Sequence, residues 1–466
     1  MKTLTTAPVW GAPGSGGFLS RWIFGLREPM RGLMRRCLPA IFCAALATAA
    51  SAQTEQVLFG FGGTRGDLPG TNGNLLMLSN GRLVGTAQGG GKKANSGLGV
   101  VFEAVPPTKK KPSWHEHVIY RFPSEAGGYG PYDGLTVGAD GVLYGETYLG
   151  GDGAGLGCGI VYQLTLSSEG EWTESTIHYF HGGASSGCGP YNTQLLFDSS
   201  SGSLYGTTRD GGSNNEGTLF RLDPGSDGTW TETVLYSFSG QFDGSGPIGA
   251  IAEDSNGIIY GTSETGGAFS AGAVWIYNTA TAQFDAIYEF KGGSDGAAPT
   301  GGVIGPFLSS PITQQYYLLA TTSAGGGSTN CSGGCGTVVT INLEPVIAET
   351  SDTVLHAFQG GSDGAEPIPG LVMVGDNAWG VVRLGGNTTS YCSSGCGGLF
   401  EIHNSGFTHV VLTYVPIYNF AGPPDGAYPE TGVAGDSKGD VFGMTEVGGN
   451  YDFEGDYVGS LWEYVP

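Results

Sequence analysis

The sequence predicts an all-β chain that folds as a seven-bladed β-propeller, and three observations support this fold. A short phrase, an apolar or aromatic residue followed by Gly and hydroxyl residues, recurs at intervals of 60, 61, 55, 59, 60 and 63 residues. Stretches of alternating apolar and polar residues surround each copy, whereas helical periodicity is absent. Glycine, at 87 of 466 residues, clusters between these stretches as turn residues do. The seven copies centre on Gly85, Gly145, Gly206, Gly261, Ala320, Gly380 and Gly443.

The N-terminal segment is predicted to be an export signal. Residues 1–29 show no structural pattern, and we expect the true start at Met30 or Met34. Residues 30–52 combine a basic start, an apolar stretch and a small-residue cleavage site before Gln53, as secretory signal peptides do. We therefore expect a periplasmic or secreted protein without a membrane span, because no later apolar stretch is long enough to cross a bilayer.

The charge of the mature chain excludes two classes of partner. Removal of residues 1–52 takes away six basic residues and one acidic residue, which moves the net charge from −23 to −28. Phosphate backbones and anionic lipid surfaces repel so acidic a protein. Nucleic acid and membrane surfaces are therefore poor candidates.

Each repeat is predicted to contain four short strands. In the fourth interval these are residues 233–238, 248–253, 258–262 and 273–277, separated by Gly-Asp and Asn-Gly turns. Two columns stay in register through all repeats. The first strand ends at Phe61, Phe122, Phe180, Phe238, Phe290, Phe358 and Phe420. The fourth strand carries Phe102, Tyr162, Phe220, Trp275, Val339, Phe400 and Trp462. Small sheets of this kind bury both faces when seven of them pack around an axis.

The phase of the repeat predicts how the ring closes. The mature chain opens with a first-type strand at residues 56–61 and stops with a fourth-type strand at residues 461–464. Pairing between these strands would complete the last blade and remove two exposed edges. Residues 53–466 are thus expected to form one propeller.

Six cysteines follow the signal segment, and an even number in an exported chain favours disulfides. Cys331–Cys335 and Cys392–Cys396 occupy the same place in two repeats, which suggests two small local loops. Cys158 and Cys188 lie in loops expected on one face, where they can pair. A zinc site of four cysteines is the alternative, although the two close pairs lie a full repeat apart.

The combined pattern resembles the GloVer tandem repeats of exported bacterial proteins. It comprises a Leu-Tyr-Gly-Thr-Thr strand, a Gly-Gly loop, a Gly-Thr-Leu-Phe strand and Phe-x-Gly-Gly-Ser-Asp-Gly-x-x-Pro. The best copies are residues 204–222, 290–299 and 358–367. The resemblance implies an exported, propeller-like repeat protein whose molecular function is undetermined.

The Asp-Gly loops supply the first candidate site. Asp243, Asp295, Asp363 and Asp425 share one slot, each followed by Gly and then by Pro. A ring of carboxylates around one channel mouth would bind cations, calcium among them, or polyhydroxyl ligands. The alternative is that each Asp caps its own tight turn.

Tyrosines decorate loops of the same face and supply the second candidate site. Aromatic rings beside carboxylates and glycine backbone suit sugar recognition, whereas packing within the loops is the alternative. These residues are Tyr129, Tyr132, Tyr191 and Tyr428.

The leading functional interpretation is a monomeric, non-catalytic binding module for a polysaccharide or another exported protein. No catalytic residues, metal ligands or cofactor motif are predicted. A glycan hydrolase or lyase at the channel mouth is the alternative, and a purely structural surface protein is the second alternative.

Overall fold

The computed structural model describes residues 54–62, 67–69, 74–90, 97–151, 157–191, 193–310, 315–343, 352–368, 370–405, 410–449 and 459–466. The chain divides into two units, residues 1–52 and residues 53–466. The predicted upstream segment 1–29 and signal peptide 30–52 lie outside the described residues.

The second unit is a seven-bladed β-propeller, which confirms the predicted fold. Each blade contains an antiparallel sheet of four strands, which we number from the innermost to the outermost. In blade 1 the short strand Asp67–Pro69 also pairs with the second strand, and in blade 4 the short strand Thr193–Gln194 also pairs with the innermost strand. Blade 1 contains Leu76–Met77, Leu83–Gly89, Val100–Val105 and His115–Arg121. Blade 2 contains Thr136–Val137, Leu143–Thr147, Ile160–Leu166 and Trp172–Tyr179. Blade 3 contains Leu196–Phe197, Leu204–Thr208, Thr218–Pro224 and Trp230–Ser237.

The remaining blades repeat this order. Blade 4 contains Ser245–Glu253, Ile258–Thr265, Ala273–Asn278 and Gln283–Glu289. Blade 5 contains Val303–Ser310, Gln315–Thr322, Thr337–Leu343 and Asp352–Ala357. Blade 6 contains Val372–Val374, Asn377–Val382, Gly398–Asn404 and Leu412–Asn419. Blade 7 contains Ala434–Gly435, Val441–Thr445, Ser460–Val465 and, as its outermost strand, Thr54–Gly60.

Blade 7 closes the ring as the repeat phase predicts. Thr54 lies opposite Val465 and Gly60 lies opposite Ser460, so the first strand of the unit pairs with its last. The N-terminal strand therefore supplies the outer edge that the C-terminal repeat lacks.

The core of each blade is built from the two columns seen in the sequence. The phenylalanine after the outermost strand is buried in every blade. At six positions its ring packs against the aromatic residue in the third strand of the next blade, as Phe238 after blade 3 packs against Trp275 of blade 4 with ring centroids 5.5 Å apart. That aromatic residue lies opposite the phrase glycine, and a Cβ on Gly261 would lie 2.3 Å from the Trp275 ring. The glycine column is therefore needed because a ring covers it.

The innermost strands come together at one end of the channel. Thr193 and Gln194 pair in parallel with Gly249 and Ala250, and Asn74 forms a parallel bridge with Gly432. A Cβ on Gly249 would lie only 2.1 Å from a neighbouring backbone nitrogen, so this approach requires glycine.

A central cavity of about 550 Å³ lies between the innermost strands. Its lining is mostly apolar and includes Met77, Ile251, Phe307 and Met373. Within the described part of the chain, no helix is long and apolar enough to cross a membrane.

Candidate functional site

Two kinds of loop emerge on one face of the propeller, which we call the loop face. One kind joins the second and third strands of a blade, and the other joins an outermost strand to the next blade. Cys158 lies in the first kind and Cys188 in the second, and the two are joined by a disulfide. Cys331–Cys335 and Cys392–Cys396 are also disulfides. All three predicted pairings are thus confirmed, and disulfides are typical of extracytoplasmic proteins.

The four predicted Asp residues are held inside their own loops. Asp243 accepts hydrogen bonds from the Tyr236 hydroxyl at 2.9 Å, the Ser239 amide at 2.7 Å and the Ser239 hydroxyl at 2.5 Å. Asp295 repeats this arrangement with the Tyr288 hydroxyl at 2.6 Å and the Lys291 amide at 2.7 Å.

The other two Asp loops follow the same pattern. Asp425 accepts from the Tyr418 hydroxyl at 3.0 Å and from the Ala421 amide at 2.6 Å. In blade 5 a histidine replaces the tyrosine, and His356 Nε2 lies 3.1 Å from both oxygens of Asp363. The four carboxylates are thus hydrogen-bonded towards the outermost strands. Glycines such as Gly249 lie instead where the innermost strands meet at one end of the channel. These hydrogen bonds account for turn capping, and ligand binding by the four Asp residues stays a prediction.

Three tyrosines form a cluster on the loop face between blades 2 and 3. The Tyr132 ring centroid lies 5.8 Å from that of Tyr148 and 5.4 Å from that of Tyr191. Tyr148 and Tyr191 are 5.1 Å apart. The Arg209 guanidinium lies 5.5 Å from the centre of the Tyr191 ring. We call these four residues the tyrosine cluster.

Each ring of this cluster is partly exposed, and its loops bring glycine backbone close. A Cβ on Gly130 would lie 2.8 Å from the Tyr132 ring, and one on Gly189 would lie 2.9 Å from the Tyr148 ring. Burial and the neighbouring Tyr148 raise the pKa of Tyr132, so its hydroxyl remains a hydrogen-bond donor at neutral pH. The predicted residue Tyr129 lies on the same loop but outside this set of ring contacts.

Two buried carboxylates lie next to the tyrosine cluster in sequence. Asp133 accepts from the Thr193 amide at 2.8 Å, and Glu146 accepts from the Thr193 hydroxyl at 2.8 Å. Both side chains are 1% exposed. Burial and the Asp133 carboxylate raise the pKa of Glu146 well above its ordinary value. This shift favours the protonated form of Glu146, which relieves the repulsion between the two groups.

A second group of charged residues lies on the loop face at blades 6 and 7. Arg383 bonds to Glu430 through Nε, and its Nη1 lies 3.5 Å from Glu366. Burial and the neighbouring Glu430 raise the pKa of Glu446 to about 7, against the opposing effect of Arg383. The Arg383 guanidinium also lies 5.6 Å from the centre of the predicted Tyr428 ring. We call this group the Glu–Arg cluster.

Sequence reasoning found Tyr132, Tyr191 and Tyr428 but missed their neighbours. Tyr148, Arg209 and Arg383 each stand three residues after the phrase glycine of their repeat. A comparison of that column between repeats would have found them, because it holds large polar residues at the start of a loop. Within the described residues, no group of three or more His, Cys, Asp or Glu side chains is arranged to hold a metal ion. Calcium binding stays a prediction.

Comparison with solved structures gives many similarities, of which two are described. A protein of unknown function from Dyadobacter fermentans DSM 18053 covers 77% of this chain and 98% of its own length, at 13% identity and a TM-score of 0.41. An exo-1,5-alpha-L-arabinanase from a bovine ruminal metagenomic library covers 60% of this chain and 94% of its own length, at 11% identity and a TM-score of 0.34. No curated protein sequence matches.

The family comparison is more direct, because it rests on the sequence pattern itself. The pattern of the Gloeobacter/Verrucomicrobia repeat matches residues 153–310. This span runs from the second-to-third-strand loop of blade 2 to the end of the innermost strand of blade 5. The resemblance noted in the sequence is thereby confirmed, and residues 153–310 carry the Gloeobacter/Verrucomicrobia repeat.

Proposed function

We propose that this protein is an extracytoplasmic, non-catalytic binding module that takes a neutral polysaccharide on the tyrosine cluster. The observation that carries the proposal is the convergence of three partly exposed tyrosine rings, 5.1–5.8 Å apart, from three separate loop segments. Aromatic rings stack on sugar faces, and phenolic hydroxyls bond to sugar hydroxyls.

Arg209 adds oriented donors to this surface. Its Nη2 lies 3.5 Å from Glu264, which holds the guanidinium beside the Tyr191 ring. A held guanidinium loses less side-chain freedom when it binds a ligand. The acidic character of the whole chain disfavours polyanionic ligands, which is why we propose a neutral polysaccharide.

The test is the thermal stability of residues 53–466 with a panel of neutral polysaccharides. A ligand at 100 times its Kd adds about 2.7 kcal/mol to the free energy of unfolding. We expect Tyr191→Ala to abolish the shift in Tm, because it removes the ring that contacts both other tyrosines and Arg209. The matched control is Tyr316→Ala, a tyrosine that is 39% exposed on a hairpin of the opposite face. A panel that leaves the Tm unchanged would refute the polysaccharide proposal and favour a protein ligand or a structural role.

A glycan hydrolase is the second candidate, and the Glu–Arg cluster favours it. Glu446, with a pKa of about 7 beside the carboxylate of Glu430, is suited to act as a general acid near neutral pH. Turnover would appear as release of reducing ends from a bound polysaccharide. Glu446→Gln would lower that rate by orders of magnitude, whereas a binding module would show no release with the wild type or the variant.

A further inference from the structure

Blade 4 displays two phenylalanines on the loop face. Phe242 is 65% exposed and Phe269 is 57% exposed, the two highest values among the large apolar side chains that the structure describes. Phe242 lies in the loop that enters the blade, and Phe269 lies in the loop between its second and third strands. Exposed apolar side chains on neighbouring loops indicate an interaction site, because exposure of apolar surface to water is unfavourable and a partner can relieve it.

The two loops are joined and held in place by the backbone. The Gly267 amide donates to the Gln241 carbonyl at 2.6 Å, and the Gly244 amide donates to the same carbonyl at 3.1 Å. Asp243, directly after Phe242, is fixed by three donors and is only 6% exposed. Both phenyl rings are therefore presented on loops whose backbone is already ordered, which lowers the entropy cost of binding.

This feature is specific to one repeat. The residue before the loop Asp is Phe242 in blade 4, whereas the corresponding residues are Ser294, Ser362 and Pro424 in the next three loops. Turn formation therefore does not require an aromatic residue at this position. The apolar ring is a property of this site and not of the repeat.

The charged side chains in these two loops and hydrogen-bonded to them are the acidic residues Asp243, Glu216 and Glu289, and each already accepts at least one hydrogen bond. Residues 239–272 contain no Lys, Arg or His. Glu216 accepts a hydrogen bond from the Ser245 hydroxyl, and Glu289 accepts one from the Ala268 amide. A sugar needs free donors and acceptors to fix its hydroxyls, and this surface offers few. An apolar protein segment needs only burial, with cations around it to complement the carboxylates.

We propose that Phe242 and Phe269 form a docking surface for an extracytoplasmic protein segment whose apolar side chains are flanked by Lys or Arg. Both phenylalanines belong to loops of blade 4, whereas the three tyrosines belong to loops at blades 2 and 3, so the proposal does not depend on polysaccharide binding. A second copy of this chain is a poor occupant because both copies carry a large negative charge.

The test uses residues 53–466 and a synthetic peptide of alternating Leu and Lys, with binding followed by fluorescence anisotropy. We expect the double variant Phe242→Ser/Phe269→Ser to bind at least about tenfold more weakly, which corresponds to about 1.4 kcal/mol. Leu166→Ser is the matched control, since Leu166 is 52% exposed at the end of a hairpin on the opposite face. It should bind as the wild type does.

Three results would overturn the proposal. The first is equal affinity of the wild type and the double variant for the Leu–Lys peptide. The second is equal binding of a matched Leu–Glu peptide by the wild type. The third is loss of polysaccharide binding in the double variant with peptide affinity unchanged, which would assign the two rings to a glycan site. Both substitutions replace exposed side chains, so we expect the fold to remain intact. Thermal melts of every variant check this.

Discussion

The strand that closes the propeller carries a carboxyl group in an unfavourable environment. Glu55 belongs to the outermost strand of blade 7, and its carboxyl lies against Asp425 and Tyr418 of the preceding blade. Burial and the Asp425 carboxylate raise the pKa of Glu55 from 4.5 to about 8. The folded protein therefore favours the protonated form of Glu55 more strongly than the unfolded chain does.

The sign of the pH dependence follows from this shift. The contribution of Glu55 to stability is fully present below pH 4.5 and is lost as the pH rises towards 8. A shift of this size corresponds to about 5 kcal/mol at most, and we reduce it to ~2 kcal/mol because part of the side chain is exposed to water. For a unit of this length, an unfolding entropy of about 2.1 cal/mol/K per residue turns that energy into a change of ~2–3 °C in Tm.

Thermal melts of the wild type and Glu55→Gln between pH 5 and pH 9 test this reasoning. The amide does not titrate, so the variant should gain ~2–3 °C relative to the wild type as the pH rises through this window. Glu169→Gln, on an exposed hairpin of blade 2, controls for the loss of one negative charge. A difference between Glu55→Gln and the wild type that stays constant with pH would refute the assigned environment of Glu55.

Three further predictions concern the architecture. Deletion of residues 54–61 should lower the free energy of unfolding by about 5 kcal/mol or more, measured by urea denaturation, because it opens the ring and removes the buried Phe61; an unchanged midpoint would contradict ring closure. Gly261→Ala should lower the free energy of unfolding by about 2–3 kcal/mol, because the new methyl group overlaps the Trp275 ring. The double variant Gly261→Ala/Trp275→Val should lose less than the sum of the two single variants. Additive losses would show that the Trp275 ring is not the reason for the glycine. The double variant Cys158→Ser/Cys188→Ser should lower the free energy of unfolding by about 3.5 kcal/mol, because this disulfide closes a long loop. Loss of the Cys331–Cys335 disulfide, whose cysteines are four residues apart, should lower it by about 2 kcal/mol. Denaturation midpoints that fall equally in the two variants would argue against an effect of loop length.

The repeat itself made most of the fold predictable. Phe238, Trp275 and Gly261 stand in columns whose register survives in seven copies, so a single chain supplied the comparison that homologues usually provide. The one exception follows the same rule. Blade 5 has Ala320 where the other blades have glycine, and it has Val339 opposite, where the others have an aromatic ring. A methyl group is tolerated where no ring lies above it.

The candidate sites were less predictable because they depend on contacts between different repeats. Asp133 and Glu146 both accept hydrogen bonds from Thr193, the residue that leads into blade 3. These contacts join blade 2 to blade 3, and the period of the repeat does not predict them. Arg383 and Glu430 likewise stand in different columns of adjacent repeats. A column analysis shows which positions face the same way, but not which side chains of neighbouring blades touch.

The pairing of Thr54 with Val465 also has a consequence for the order in which the blades can fold. A blade formed from one continuous repeat can pair its strands as soon as that repeat has emerged, but blade 7 needs both ends of the unit. During synthesis, the N-terminal strand would thus stay without its partner until the C-terminal strand has been made. Long-range pairing of this kind is slow and exposes strand edges meanwhile. We expect a chain rejoined at these two ends and reopened between two other blades to reach the same structure without that delay, because every blade would then be continuous in sequence.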